Sequence, residues 1–168
     1  MKVIKAPAKF TPLESVSLFE AGSIEMGRAE NWQQILENSL RDLNITILNP
    51  RRENWDSSWI QSINDPQFRE QVEWELLAQE SADIISMYFS PGTKSPITLL
   101  ELGLFAETHK LIVCCPDGYW RKGNVEIVCR WYGTKLVNTL QELADRIAFR
   151  VRQLEYKEER FKCYESTT

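Results

Sequence analysis

The sequence predicts an α/β protein, a three-layer sandwich built on a central parallel sheet of about five strands. Three observations carry that expectation. Short apolar runs alternate along the chain with segments of helical hydrophobic spacing. One of these runs, "KLIVCCP", is apolar almost throughout, as a strand covered on both faces should be. The 168 residues, 43% hydrophobic and 26% charged, suit a single domain (1–168) with a sizeable core rather than a disordered chain.

The elements follow in order. Residues 1–13 read as a loose arm. "SVSLFEAGS" is a first strand ending in a small-residue turn, and "AENWQQILENSLRDL" places Trp32, Ile35, Leu36, Leu40 and Leu43 at helical spacing. "NITILNP" is a short strand stopped by Asn49-Pro50, and "PRRENWDSSWIQSINDP" a long polar loop rich in tryptophan. Asp65-Pro66 supplies a cap and an N1 proline for the helix "PQFREQVEWELLAQES". "ADIISMYFS" is a third strand, and Ser95-Pro96 repeats the cap-and-proline start for "ITLLELGLFAE". After the strand "KLIVCCP" come a glycine-bearing loop, "DGYWRKGN", and "VEIVCRWYG", which fits a short helix or a strand. "KLVN" is an expected edge strand. Residues 139–160 form an amphipathic helix with Leu140, Leu143, Ile147, Val151 and Leu154 on one face. Strands alternating with helices imply a doubly wound, flavodoxin- or Rossmann-like sheet, whose ligands lie beyond the C-terminal strand ends. Those ends carry Ala21-Gly22-Ser23, Asn49-Pro50-Arg51, Ser90-Pro91-Gly92 and Pro116-Asp117-Gly118.

The composition also excludes. A net charge of −4 with scattered basic residues argues against a nucleic-acid polymer as partner. No run approaches the roughly 20 apolar residues of a membrane span, and the N-terminus lacks the apolar core of a secretory signal. Cys114, Cys115, Cys129 and Cys163 show no CxxC spacing and read as reduced, buried thiols of a cytoplasmic protein. The single histidine, His109, falls at an expected helix end, so neither a histidine-based triad nor a zinc site can be assembled without unusual ligands.

Glu101 is the most conspicuous residue. It is the only charge between Leu99 and Ala106, and burying it costs several kcal/mol unless something compensates. Helical phase puts it with Ile97, Leu104 and Phe105 on the sheet-facing side. The structural alternative is a glutamate satisfied by an arginine or by backbone N–H groups. Glu75 shares the inner face of its own helix with Phe68, Val72 and Gln79, while Glu73 points away; its plain reading is a boundary glutamate. Together the two carboxyls suit a nucleophile and a general acid at a glycosidic bond. Gly22 permits close backbone approach and Ser23 offers a hydroxyl, although any doubly wound fold needs such a turn. Trp55, Trp59, Tyr119 and Trp120 suit stacking on a nucleobase, or hydrophobic lid packing. Asn124 is a neutral hydrogen-bonding group, or part of a plain turn.

On these residues the chain resembles the nucleoside 2-deoxyribosyltransferase family, from "LFEAGS" at residue 18 to about "WYG" at 133. Its most specific stretches are "ADIISMYF…SPITLLELGLFAE", "KLIVCCPDGY" and "GN"; "AGSI", "NPRRENWDSSW" and "QVEWE" place it in a divergent, deoxyribosyltransferase-like branch. The resemblance implies transfer of a 2-deoxyribosyl group between nucleobases without cofactor or metal, with a deoxynucleoside and a free nucleobase as partners. It implies Glu101 as nucleophile and Glu75 as the acid protonating the leaving base. Asn124 would be lent by a neighbouring subunit of a dimer-based homo-oligomer, often a hexamer. Gly22, Ser23, Ile24, Trp55, Asp56, Ser95 and Glu126 complete the expected substrate contacts. Three positions depart from the family pattern. Ser95 stands where the family has an aspartate, Leu18 where it has a tyrosine, and Val125-Glu126 where it has an aromatic or methionine. The alternatives are an N-glycosidase acting on nucleosides or their 5′-monophosphates, helped by a phosphate site of Ser23, Thr93, Lys94 and Ser95, and a non-catalytic nucleotide sensor.

Overall fold

The computed structural model describes residues 1–24, 30–53, 56 and 58–165. Six strands form one sheet: β1 (Lys2–Lys5), β2 (Val16–Gly22), β3 (Ile45–Asn49), β4 (Ile84–Tyr88), β5 (Leu111–Cys114) and β6 (Lys135–Val137). Their order is β1-β3-β2-β4-β5-β6, and every neighbouring pair is parallel. Among the described residues five α-helices flank it: α1 (Trp32–Leu40), α2 (Pro66–Ser81), α3 (Pro96–Phe105), α4 (Lys122–Tyr132) and α5 (Leu140–Glu165). Without β1 the order is that of a flavodoxin-like sandwich.

Alternation along the strands builds two cores. Leu18, Ile47, Ile84, Ile112 and Cys114 face α1 and α5, where they meet Trp32, Leu36, Leu40, Leu143, Ile147 and Val151. Phe19, Ala21, Ile85, Met87 and Val113 face the other way, toward Trp74 and Ala78 of α2, Leu102 and Phe105 of α3, and Val125 and Cys129 of α4. The expected face of α5 is the buried one, with Leu140 and Leu154 partly covered at its ends. None of the helices is long and apolar enough to cross a membrane among the described residues.

The structure corrects several expectations. Residues 1–13 are no loose arm: β1 pairs with β3 at the sheet edge, and Ile4, Ala6 and Phe10 are buried. Phe10 stands edge-on to Trp74 at 5.4 Å, and the Trp74 indole Nε1 donates to the carbonyl of Ala8 at 2.8 Å. "VEIVCRWYG" is helical, and α4 begins early enough to take in Gly123 and Asn124, which are not a turn. Asp65 caps α2 as expected, accepting from the N–H groups of Gln67 and Phe68 at 3.0 Å. Ser95 does not cap α3. It adopts a left-handed φ of 45° and makes no side-chain capping bond.

The inner face of α3 is likewise shifted. Thr98, Glu101, Leu102 and Phe105 are buried, whereas Ile97 (60%) and Leu104 (54%) are exposed. A rotation of one position along the helix turns the other half of its apolar surface to solvent while leaving Glu101 inside.

Candidate active site

Glu101 projects from the second turn of α3 toward α2 and is only 8% exposed. The α2 helix meets it with a polar stripe at intervals of four residues: Gln71, Glu75 and Gln79. Gln79 Nε2 donates to Glu101 Oε1 at 2.9 Å, and Gln71 Nε2 donates to Glu75 Oε1 at 2.8 Å. Gln71 Nε2 also reaches the carbonyl of Pro50 at 2.9 Å, tying the C-terminal end of β3 to the same cluster. The Gln79 side chain is fully buried and its Oε1 has no hydrogen-bond partner among the described residues. Neutral amides, rather than the arginine or backbone N–H groups of the structural alternative, therefore meet these carboxyls.

Amide donors offset little of the cost of a buried charge. Burial pushes Glu101 up to about 8, with a further rise from the Glu75 charge and a partial opposing effect from the Gln79 bond. Burial likewise pushes half-buried Glu75 up to about 6, opposed by Gln71. Two interacting carboxyls share their titration, so these values describe the pair. Between pH 6 and 8 the pair holds one proton and one negative charge. A site with one ionised and one protonated carboxyl can supply a nucleophile and an acid together.

The other expected residues divide. Ser23, Thr93 and Ser95 converge at the ends of β2 and β4. The Ser23 hydroxyl lies 2.6 Å from that of Ser95 and 2.9 Å from that of Thr93, and Thr93 and Ser95 are 2.9 Å apart. Ser23 Oγ also accepts the N–H of Ser90 at 3.0 Å. This sideways network recruits the hydroxyl that was expected to cap α3. Packing alone already requires Gly22: a Cβ there would stand 2.6 Å from the Tyr88 carbonyl oxygen and 2.7 Å from the Trp32 ring.

Ile24 is half-buried just beyond Ser23. Asp56 is exposed and caps a turn, accepting the N–H of Ser58 at 2.8 Å. Asn124 and Glu126 are exposed on α4, and Glu126 lies 3.9 Å from Lys122. Among the described residues no hydrogen bond or ion pair joins Asp56, Asn124 or Glu126 to the carboxyl pair. Trp55 lies outside the described residues. The other loop aromatics are engaged: Tyr119 packs on Phe89 at 4.9 Å and donates to the Lys94 carbonyl, as does Trp120, while Trp59 lies under Arg52.

Gln71 and Gln79 are site residues that the sequence reading did not assign. Their signal was the four-residue spacing around Glu75. A second buried acid also escaped notice. Glu20, in the middle of β2, is fully buried on the α1 side, and among the described residues neither oxygen meets a donor. Burial, then the adjacent Glu37 carboxyl, pushes it well above the usual carboxylate range. Glu37 is in turn held by Asn49 Nδ2 at 2.7 Å.

In doubly wound sheets small ligands bind beyond the C-terminal strand ends, the side on which α3 begins and on which Gln71 meets the Pro50 carbonyl. The comparisons go further. The sequence model of the family described as "Nucleoside 2-deoxyribosyltransferase like" matches residues 15–119, and the chain belongs to that family. No curated protein sequence matches it. Among solved structures it is similar to a conserved protein from Enterococcus faecalis V583, with a TM-score of 0.59 and 12% identity. The match covers 81% of this chain and 99% of that one, a likeness of fold.

Proposed function

We propose that the protein transfers a 2-deoxyribosyl group between nucleobases through a glycosyl ester on Glu101. The observation that carries this reading is the Glu101 carboxyl, buried against α2 and met there by the Gln79 amide at 2.9 Å, with Glu75 one turn earlier on the same stripe. The Glu101 carboxylate attacks C1′ as the N-glycosidic bond breaks. The bonding electrons leave with the base, which takes the pair's proton through Glu75. In the free site that proton is shared by the two carboxyls. Its passage by way of Glu75 to the leaving base frees the nucleophile at the moment it is needed. A second base then attacks C1′ of the ester and returns its proton to Glu75. The C1′–oxygen bond breaks and the Glu101 carboxylate is restored. Two inversions give net retention.

Asn124 supports a shared site. On α4 it lies on the same face as Ile127, 68% exposed, and Trp131, 81% exposed. An uncovered apolar face of that kind suits contact with a second copy. We propose a homo-oligomer in which Asn124 serves the neighbour's deoxyribose.

A second reading is an N-glycosidase acting on nucleoside 5′-monophosphates. The convergence of the Ser23, Thr93 and Ser95 hydroxyls at the ends of β2 and β4 favours it, as a polar pocket wall on the ligand side of the sheet. Incubation with deoxyadenosine or thymidine, with and without a second base, separates these readings by chromatography. A new deoxynucleoside supports transfer. Free base alone, or release only from the monophosphate, supports hydrolysis. No product from any of these substrates overturns both.

A further inference from the structure

At the opposite edge of the sheet from the C-terminal strand ends, a cavity of about 320 Å³ is lined by His109, Lys110, Lys135, Arg146, Phe149 and Arg150, with the first residues of β5 and the start of β6. Its volume falls at the low end of the roughly 300–1,000 Å³ range of small-molecule sites. No carboxylate lines it. Its cations come from three separate elements: the turn before β5, β6 itself and α5. Lys110 is tied back, its Nζ donating to the Glu80 carbonyl at 2.7 Å. Lys135, Arg146 and Arg150 have no ion-pair partner within 4.0 Å among the described residues. Arg146 is felt by Glu142 one turn earlier, but that carboxylate is turned to the N–H groups of Asn138 and Thr139.

In a chain of net charge −4, three cations around one concavity repel each other, offset in part by the Glu142 charge one turn from Arg146. An anion bound there removes that repulsion, and guanidinium groups match phosphate oxygens in pairs. Phe149 stands in the same wall with 54% of its surface exposed. An aromatic face among guanidinium groups is a platform on which a nucleobase stacks. The small volume and the acidic balance of the chain argue for a small molecule rather than a nucleic-acid polymer.

We propose that this cavity binds a condensed phosphate, in the form of a nucleoside polyphosphate whose phosphates meet Lys135, Arg146 and Arg150 and whose base stacks on Phe149. The site is separate from Glu75 and Glu101 and does not depend on their chemistry. Calorimetric titration of the full chain with ATP, inorganic tripolyphosphate and adenosine tests it. ATP and tripolyphosphate are expected to bind saturably, and the Arg146→Gln/Arg150→Gln double variant to bind each at least tenfold more weakly. Phe149→Ala should weaken ATP and leave tripolyphosphate unchanged. Glu101→Gln should alter neither. Lys135→Gln, on a different element, takes the place of the double variant if that one does not fold. Failure of both anions to bind, or binding equally strong in the cation variants, overturns the proposal. Equal loss of ATP and tripolyphosphate in Phe149→Ala overturns the stacking role and the nucleotide assignment.

Discussion

At the scale of single residues the account turns on Glu101. A carboxyl met by one amide and raised to about 8 costs stability as pH rises above the ordinary glutamate value, a cost that the proposed catalytic role would offset. Glu101→Gln removes the charge and keeps the shape. Turnover should vanish while thermal unfolding at pH 8 moves to higher temperature; a folded variant with undiminished activity would contradict the nucleophile role. The rate should also follow the protonation of the pair, rising near pH 6 and falling near pH 8. A flat profile across that range would count against a singly protonated pair. Glu101 was legible in the sequence because a lone charge in an apolar helix violates the pattern. Glu20 was not, since one acid within a seven-residue strand looks like the alternation of a half-exposed sheet. Ser95 departs from the capping pattern because its hydroxyl answers to Ser23, far away in sequence, as well as to the nearby Thr93.

At the scale of elements, periodicity and caps located β2 to β6 and all the helices, with α4 left open between helix and strand. They failed at β1. "KVIK" is too short to show a period, and what fixes it is pairing with β3, more than 40 residues away. The segment after it docks by Phe10 against Trp74, a contact with no local signature. Trp74→Ala should therefore cost about 3–5 kcal/mol, the range for a large buried aromatic. Urea unfolding measures it, and a loss under about 1 kcal/mol, the scale of a surface change, would mean that the N-terminal segment contributes little. The phase of α3 was misjudged for a related reason. The helix is apolar on nearly all sides, so the sequence alone cannot say which half faces the sheet.

At the scale of the whole molecule, three carboxyls, Glu20, Glu75 and Glu101, bind protons more tightly folded than unfolded. The folded state then holds more protons than the unfolded one above the ordinary glutamate value of about 4.3. The stabilisation they give is complete below that value and is lost as pH rises through about 6 for Glu75 and about 8 for Glu101. Stability measured by denaturant unfolding should decline from pH 5 toward pH 8.5, and Glu101→Gln should flatten the slope. A stability that increases over that interval would contradict the buried, uncompensated state of these groups.

The sheet places the carboxyl pair, the pair sets the proton, and the chemistry proposed for Glu101 follows from both. The most direct measurement of that claim is mass spectrometry of the protein quenched during turnover of a deoxynucleoside without acceptor base. The account predicts a 2-deoxyribosyl adduct on the peptide carrying Glu101, removed on addition of a second base. An adduct on another residue, or continuing turnover with no adduct, would contradict it.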